Sequence, residues 1–131
     1  DVCSSDLLKI RVKCIKERML FDVESIEAKR NQPIRLEFLN PDATPHNLVL
    51  VQPGSLEEVG KAANQMAADP VAAKSGQFIP QSKKIIAHTR MLKQGESEFL
   101  RFKAPSKPGE YPYLCTFPGH WTIMRGKLIV K

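Results

Sequence analysis

Residues 8–14 alternate strictly, with the cationic Lys9, Arg11 and Lys13 set between Leu8, Ile10, Val12 and Cys14. A period of two belongs to a strand with one wet and one buried face. Comparable alternating or short apolar runs, separated by turn residues, lie at 21–28, 34–39, 47–52, 84–88, 98–103, 110–116 and 127–130. Short strands at this spacing predict an all-β protein, a Greek-key β-sandwich of about eight antiparallel strands. The pattern changes once. In SLEEVGKAANQMAADP the apolar Leu56, Val59, Ala63 and Met66 recur at helical spacing, and Ser55 followed by Glu58 reads as a capping box. This predicts one helical insertion, between the fourth and fifth strands. Asp69 and Pro70 then fit the cap and first position of a further short helical turn that Gly76 ends.

A chain of 131 residues suits one domain around a single core, and 42% hydrophobic with 26% charged residues is a globular balance. No apolar run is long enough to cross a bilayer as a helix. The formal charge of +6 is partly local, since Lys9, Arg11, Lys13, Lys16 and Arg18 stand against a single acid, Glu17, in one stretch. Aromatic residues are not interleaved with these cations, as stacking on bases requires, so the charge argues for an acidic protein or surface and against nucleic acid. Residues 1–7, DVCSSDL, match the translation of a common short-read sequencing adapter. They are expected to be an assembly artefact, with the domain at residues 8–131 and the natural chain continuing upstream. Setting Cys3 aside leaves Cys14 and Cys115, too few for a disulfide framework. Cys14 falls on the buried face of its strand and is read as a small hydrophobe.

The stretch CTFPGHWTIM, residues 115–124, places a thiol, an imidazole and a thioether in one short loop. These are three of the four side chains that hold a mononuclear copper ion in an electron-transfer site. The fourth would be a second histidine. In TPHNLVL, His46 stands at the entrance to a strand, where it meets Cys115 if the strands pair. A thiolate and two neutral imidazoles suit both Cu(I) and Cu(II), and a distant methionine sulfur adds a weak axial contact. Singly, each residue has a plainer reading: Cys115 as a buried strand cysteine, His46 and His120 as polar residues at strand ends, Met124 as core. Their joint spacing favours the metal. His88 has no motif partner and is read as surface or packing. Phe117, Pro118 and Trp121 either fill the end of the sandwich or form an apolar docking patch around a ligand histidine.

Over most of the chain these segments resemble the blue copper proteins, the cupredoxins. YPYLCTFPGHWTIMRGKLIVK is similar to the C-terminal hairpin of azurins and auracyanins, with its Cys, four residues, His, three residues, Met loop. IIAHT resembles the azurin strand that follows the helical insertion. The resemblance implies a cupredoxin-like sandwich holding one type 1 copper, with His46, Cys115 and His120 as equatorial ligands and Met124 axial. It implies that Asn47 ties the ligand-bearing segments together by hydrogen bonds, with Thr116 and Phe117 supporting the ligands. It further implies one-electron transfer between protein redox partners such as a c-type cytochrome or a dehydrogenase domain, a periplasmic or other extracytoplasmic setting in a bacterium, and no enzymatic activity of its own.

Three departures from azurins stand out. Pro45 replaces a glycine whose carbonyl approaches the metal there; Pro45-His46-Asn47 instead resembles plastocyanins, which implies an effectively four-coordinate site. Cys14 has no evident disulfide partner, and Trp121 follows His120 where azurins have a small residue. The combination also resembles copper modules at the end of large multidomain bacterial dehydrogenase-like proteins. Among other classes, a cysteine–histidine hydrolase would leave Met124 without a role and lacks a nucleophile signature. Zinc rarely takes a thioether. A binding or assembly module without electron-carrier turnover is the remaining alternative, and an intense blue band on adding Cu(II) is the discriminating observation.

Overall fold

A computed structural model describes residues 6–131; most of the adapter-like stretch, residues 1–5, lies outside the described residues. Eight strands follow in order: β1 (Leu8–Lys13), β2 (Ser25–Ala28), β3 (Pro33–Leu39), β4 (Val49–Val51), β5 (Ile85–His88), β6 (Ser97–Lys103), β7 (Gly109–Leu114) and β8 (Arg125–Val130). Helices α1 (Leu56–Met66) and α2 (Pro70–Ser75) lie between β4 and β5. One sheet has the order β1-β3-β6 and the other β2-β8-β7-β4-β5. Among the described residues no helix is long and apolar enough to cross a membrane.

Two pairings correct the antiparallel expectation: β1 runs parallel to β3, and β2 parallel to β8. The other ladders are antiparallel, and successive strands alternate in direction along the chain. Neighbours in a sheet that are an even number of strands apart in sequence must therefore run the same way. The same alternation positions the site. The loops that precede β4 and that join β7 to β8 meet at one end of the sandwich, where His46 also bridges Leu92 in the approach to β6.

The core follows from the two-residue period. In β3, Ile34, Leu36 and Phe38 are buried while the residues between them are half-exposed, and they pack with Val12, Ile26, Leu48, Leu50, Tyr113 and Leu128. Strand β4 is covered on both faces. Leu50 belongs to the main core, whereas Val49 and Val51 join Leu114 in a smaller cluster with Val59 of α1 and Trp121. Fully burying such a side chain is worth about 1.5–3 kcal/mol, enough to hold α1 on the sheet.

Two local differences from the sequence reading have physical causes. Strand β2 begins at Ser25 rather than at residue 21, because the chain crosses from one sheet to the other there. Phe21 makes only an isolated bridge to Cys14, and Asp22 closes the turn onto Lys13, its amide donating to the Lys13 carbonyl and its carboxylate accepting from the Lys13 amide, both at 2.8 Å. Phe21 is buried all the same, edge-on to Phe38 and Tyr113. Ser55 precedes α1 without capping it by its side chain. Its ψ of 3° is not the extended conformation from which a hydroxyl reaches the first-turn amides. At α2 the cap forms: the Asp69 carboxylate accepts from the Val71 amide at 3.0 Å, and Gly76 closes the helix at φ 70°. Cys14 is buried and, among the described residues, has no disulfide partner.

Candidate metal centre

His46 arrives on the loop 40–45, which folds around Asn40. The Asn40 side-chain amide donates to the carbonyls of Thr44 (2.9 Å) and Leu92 (2.8 Å), and its oxygen accepts from the Asp42 amide (2.9 Å). The next residue, Asn47, is fully buried and spans two segments. Its side chain donates to Thr116 Oγ1 and accepts from the Thr116 amide, both at 2.8 Å. Such bonds contribute about 1 kcal/mol each, and leaving either buried partner unmet costs about 1–3 kcal/mol. His46 and Cys115 are thereby stapled across the sandwich.

Cys115 follows β7 directly, and its amide donates to the Met124 carbonyl at 3.1 Å, closing the loop 115–124. Gly119 sits at φ 88°, a conformation that glycine adopts without steric cost. Its amide donates to Asn64 Oδ1 of α1 at 2.8 Å. A single 3-10 turn, His120–Thr122, follows, and the Met124 amide donates to the His120 carbonyl at 2.8 Å. The helical insertion thus holds the loop from outside.

These supports bring Cys115 Sγ to 3.8 Å from His46 Nδ1 and 3.5 Å from His120 Nδ1. All three donor atoms lie within 4.8 Å of one another, on buried residues. The spacing fits a bound ion. With metal–nitrogen and metal–sulfur bonds of about 2.0 and 2.3 Å, ligand angles of about 110–120° separate sulfur from nitrogen by about 3.5–3.7 Å. Met124 is fully buried in the same core cluster as Cys115. Burial pushes the Cys115 thiol up to about 11, opposed by the backbone amides of Asn47 and Phe117. Burial, and then the neighbouring His46, push His120 down to about 4, so its ring is neutral. Two imidazoles, a thiol whose proton a metal displaces and a thioether form a soft set suited to copper.

The flanking residues divide. Thr116 is buried, and Phe117 lies over His120 with ring centroids 4.6 Å apart while meeting the edge of Phe78. Phe117 and Pro118 are half-buried. Trp121 turns inward: its indole lies against Gly60 of α1 in the smaller cluster, and its N–H is buried without a hydrogen-bond partner. Trp121 thus packs on α1 while remaining half-buried, as Phe117 and Pro118 are. His88 is exposed, donates from Nδ1 to the Thr89 carbonyl at 2.9 Å, and stands apart from the donor set.

Sequence reasoning missed Asn64, Phe78 and Asp42. Asp42 is the most telling, because its Oδ2 lies 2.9 Å from His46 Nε2, on the opposite edge of the ring from Cys115. The hydrogen bond from His46 holds the Asp42 carboxyl below the usual carboxylate range. The only signal in the sequence was an acid four residues before the histidine.

The family profile described as "Copper binding proteins, plastocyanin/azurin family" matches residues 8–131. The chain belongs to this copper-binding family. It is 34% identical to auracyanin-A of Chloroflexus aurantiacus over 117 residues, covering 88% of this chain and 69% of that protein. It is 35% identical to auracyanin-B of the same organism over 126 residues, covering 92% of this chain but only 51%, about half, of the relative. The solved structure of auracyanin A, described as a "blue" copper protein, superposes with a TM-score of 0.82 at 31% identity, covering 95% of this chain and 99% of that one. The cupredoxin-like sandwich and the copper cofactor follow from this membership together with the donor cluster.

Proposed function

We propose that the protein is a one-electron carrier in which His46, Cys115 and His120 would hold one copper ion, with the Met124 thioether as a fourth, weaker donor. The observation that carries this reading is the buried donor set, two imidazole nitrogens 3.5 and 3.8 Å from one thiol sulfur. When bound, copper in such a set alternates between Cu(I) and Cu(II), and so accepts and releases a single electron. The residues of the chain fix the donors and keep water out. Asn47 and Thr116 clamp the two segments, Asn64 holds the loop at Gly119, and Phe117 covers the His120 ring.

His120, 6% exposed, is the ligand whose edge offers a route to solvent. Around it Phe117 and Pro118 are half-buried and Ile123 is 52% exposed, an apolar contact of the small, weak kind that a carrier must release after each transfer. The partners of this reading are proteins such as a c-type cytochrome or a dehydrogenase domain. The net charge of +6 favours an acidic face on them. We take residues 8–131 as the domain and residues 1–7 as adapter-derived. Family membership supports an extracytoplasmic, periplasmic setting in a bacterium, and the site as read needs no reaction beyond electron exchange.

Titration with Cu(II) tests the reading. One equivalent should bind with an intense blue thiolate-to-copper band, and Cys115→Ser should abolish that band while circular dichroism shows the sandwich intact. A blue band that persists in Cys115→Ser refutes the ligand assignment.

A further inference from the structure

We propose that Asp42 is the positioning residue of His46, fixing the orientation and tautomer of that imidazole and, through its negative charge, lowering the reduction potential of the centre; the second half rests on the copper reading above. The ring of His46 is fully buried and engaged on both edges, with Nδ1 toward Cys115 and Nε2 toward Asp42. An ionised carboxylate only accepts hydrogen bonds, so the shared hydrogen sits on Nε2 and the Nδ1 lone pair faces the donor cluster. Histidine ligands backed in this way are oriented and made more basic.

The carboxylate is itself held from three directions. Its second oxygen, Oδ1, accepts from the backbone amides of Glu17 (3.1 Å) and Ala43 (2.9 Å), and the Asp42 amide donates to Asn40. Glu17 delivers its amide from φ 63°, a left-handed conformation that costs a non-glycine residue of order 1 kcal/mol or more. The turn between β1 and β2 thus holds a strained residue whose amide is spent on Asp42. His120 differs. Among the described residues its second ring nitrogen has no carboxylate partner, so the anion acts on one imidazole only. Asp42 is 8% exposed at the floor of a depression shared with Lys16, Glu17 and Gln94, so water screens its charge only in part.

A fixed anion one imidazole away stabilises the more positive Cu(II) state over Cu(I). Asp42→Asn keeps the shape and removes the charge, but leaves one acceptor oxygen where the carboxylate uses two. Asp42→Glu keeps the charge. Asp42→Ala removes both. For Asp42→Asn, Cu(II) affinity should fall about tenfold relative to Cu(I). By the one-electron conversion that tenfold change is a rise of about 59 mV in potential. The blue band should remain, and Asp42→Glu should stay nearer the wild-type potential. Separately, nitrogen-15 NMR of the metal-free protein should show Nε2–H on His46 in the wild type and a mixture of tautomers in Asp42→Ala.

An unchanged potential in Asp42→Asn, or a shift in Asp42→Glu as large as in Asp42→Asn, overturns the charge effect. An unchanged tautomer in Asp42→Ala overturns the positioning role. If the wild type itself binds no copper, the electron-carrier reading fails, yet the NMR comparison still decides whether Asp42 orients His46.

Discussion

Replacing Gly60 by alanine sets helix propensity against packing, and the structure says which wins. Gly60 lies in the interior of α1, where alanine is ordinarily favoured over glycine by about 1 kcal/mol. A Cβ built at this position would lie 2.3, 2.4 and 2.8 Å from Cδ2, Cγ and Cε2 of Trp121. Carbon atoms in contact sit at about 3.5–4.0 Å, so the indole or the helix would have to retreat by more than about 1 Å. Overpacking of this kind costs about 1–3 kcal/mol, and displacing the ring also uncovers Val49, Val51 and Leu114 beneath it. The net expectation for Gly60→Ala is a loss of about 1–2 kcal/mol. In a Trp121→Ala background the obstruction is gone, and the same substitution should stabilise by up to about 1 kcal/mol, a coupling of about 2–3 kcal/mol. Urea unfolding of the four proteins closes the cycle by circular dichroism. The fluorescence of Trp121, the sole tryptophan, reports the ring directly in the two that keep it. A Gly60→Ala protein as stable as the parent, or a coupling near zero, refutes the packing assigned to Trp121.

Two further predictions concern the centre and its exit. If fully buried Met124 is the weak donor proposed above, Met124→Leu should leave the blue colour and raise the potential, read by voltammetry; an unchanged potential means that Met124 is not a ligand. Ile123→Asp puts a solvated charge of the sign that repels an acidic partner beside the His120 edge and should slow bimolecular electron transfer in stopped flow about tenfold, equal to about 1.4 kcal/mol of lost encounter, without altering the spectrum. An unchanged rate across several salt concentrations places the docking surface elsewhere.

The sequence was legible where a local pattern was enough. A two-residue period located the strands, because each buries one face, and α2 was fixed by Asp69, Pro70 and Gly76, whose cap and left-handed closure are local chemistry. The donor residues were readable for a related reason: three of them fall in ten consecutive residues with restrictive spacing. Features that depend on which segments meet were hidden. The parallel pairing of β1 with β3 follows from sheet order, which alternation does not encode. Asp42 reads as an ordinary loop acid until Asn40 folds that loop by reaching Leu92, 52 positions away. Trp121 reads equally as filler or as docking aromatic until α1 is seen to offer it a glycine to lie against. Ser55 failed in the opposite way: its local signature was right, but the preceding turn set its backbone away from the capping conformation.

A common principle runs through the supports of the centre. Each segment that carries a donor is pinned by a polar side chain or amide from a segment distant in sequence: Asn40 reaches Leu92, Asn47 reaches Thr116, Asn64 reaches Gly119, and the Glu17 amide reaches Asp42. These bonds are modest singly, about 1 kcal/mol each, but they tie five different parts of the chain to one end of the sandwich. Shifting His46 or Cys115 would unmake the buried bonds of Asn40 and Asn47, which cost more to lose than they return when formed. The separations of 3.5 and 3.8 Å are therefore set by contacts among the protein's own residues. A carrier benefits from such a frame, since a donor set that cannot relax between oxidation states leaves little rearrangement to accompany each electron. Loosening one pin, as in Asn64→Ala, should on this argument broaden the electronic spectrum before it costs measurable global stability, because the lost bond acts on one loop while the core that holds the sheets together is untouched.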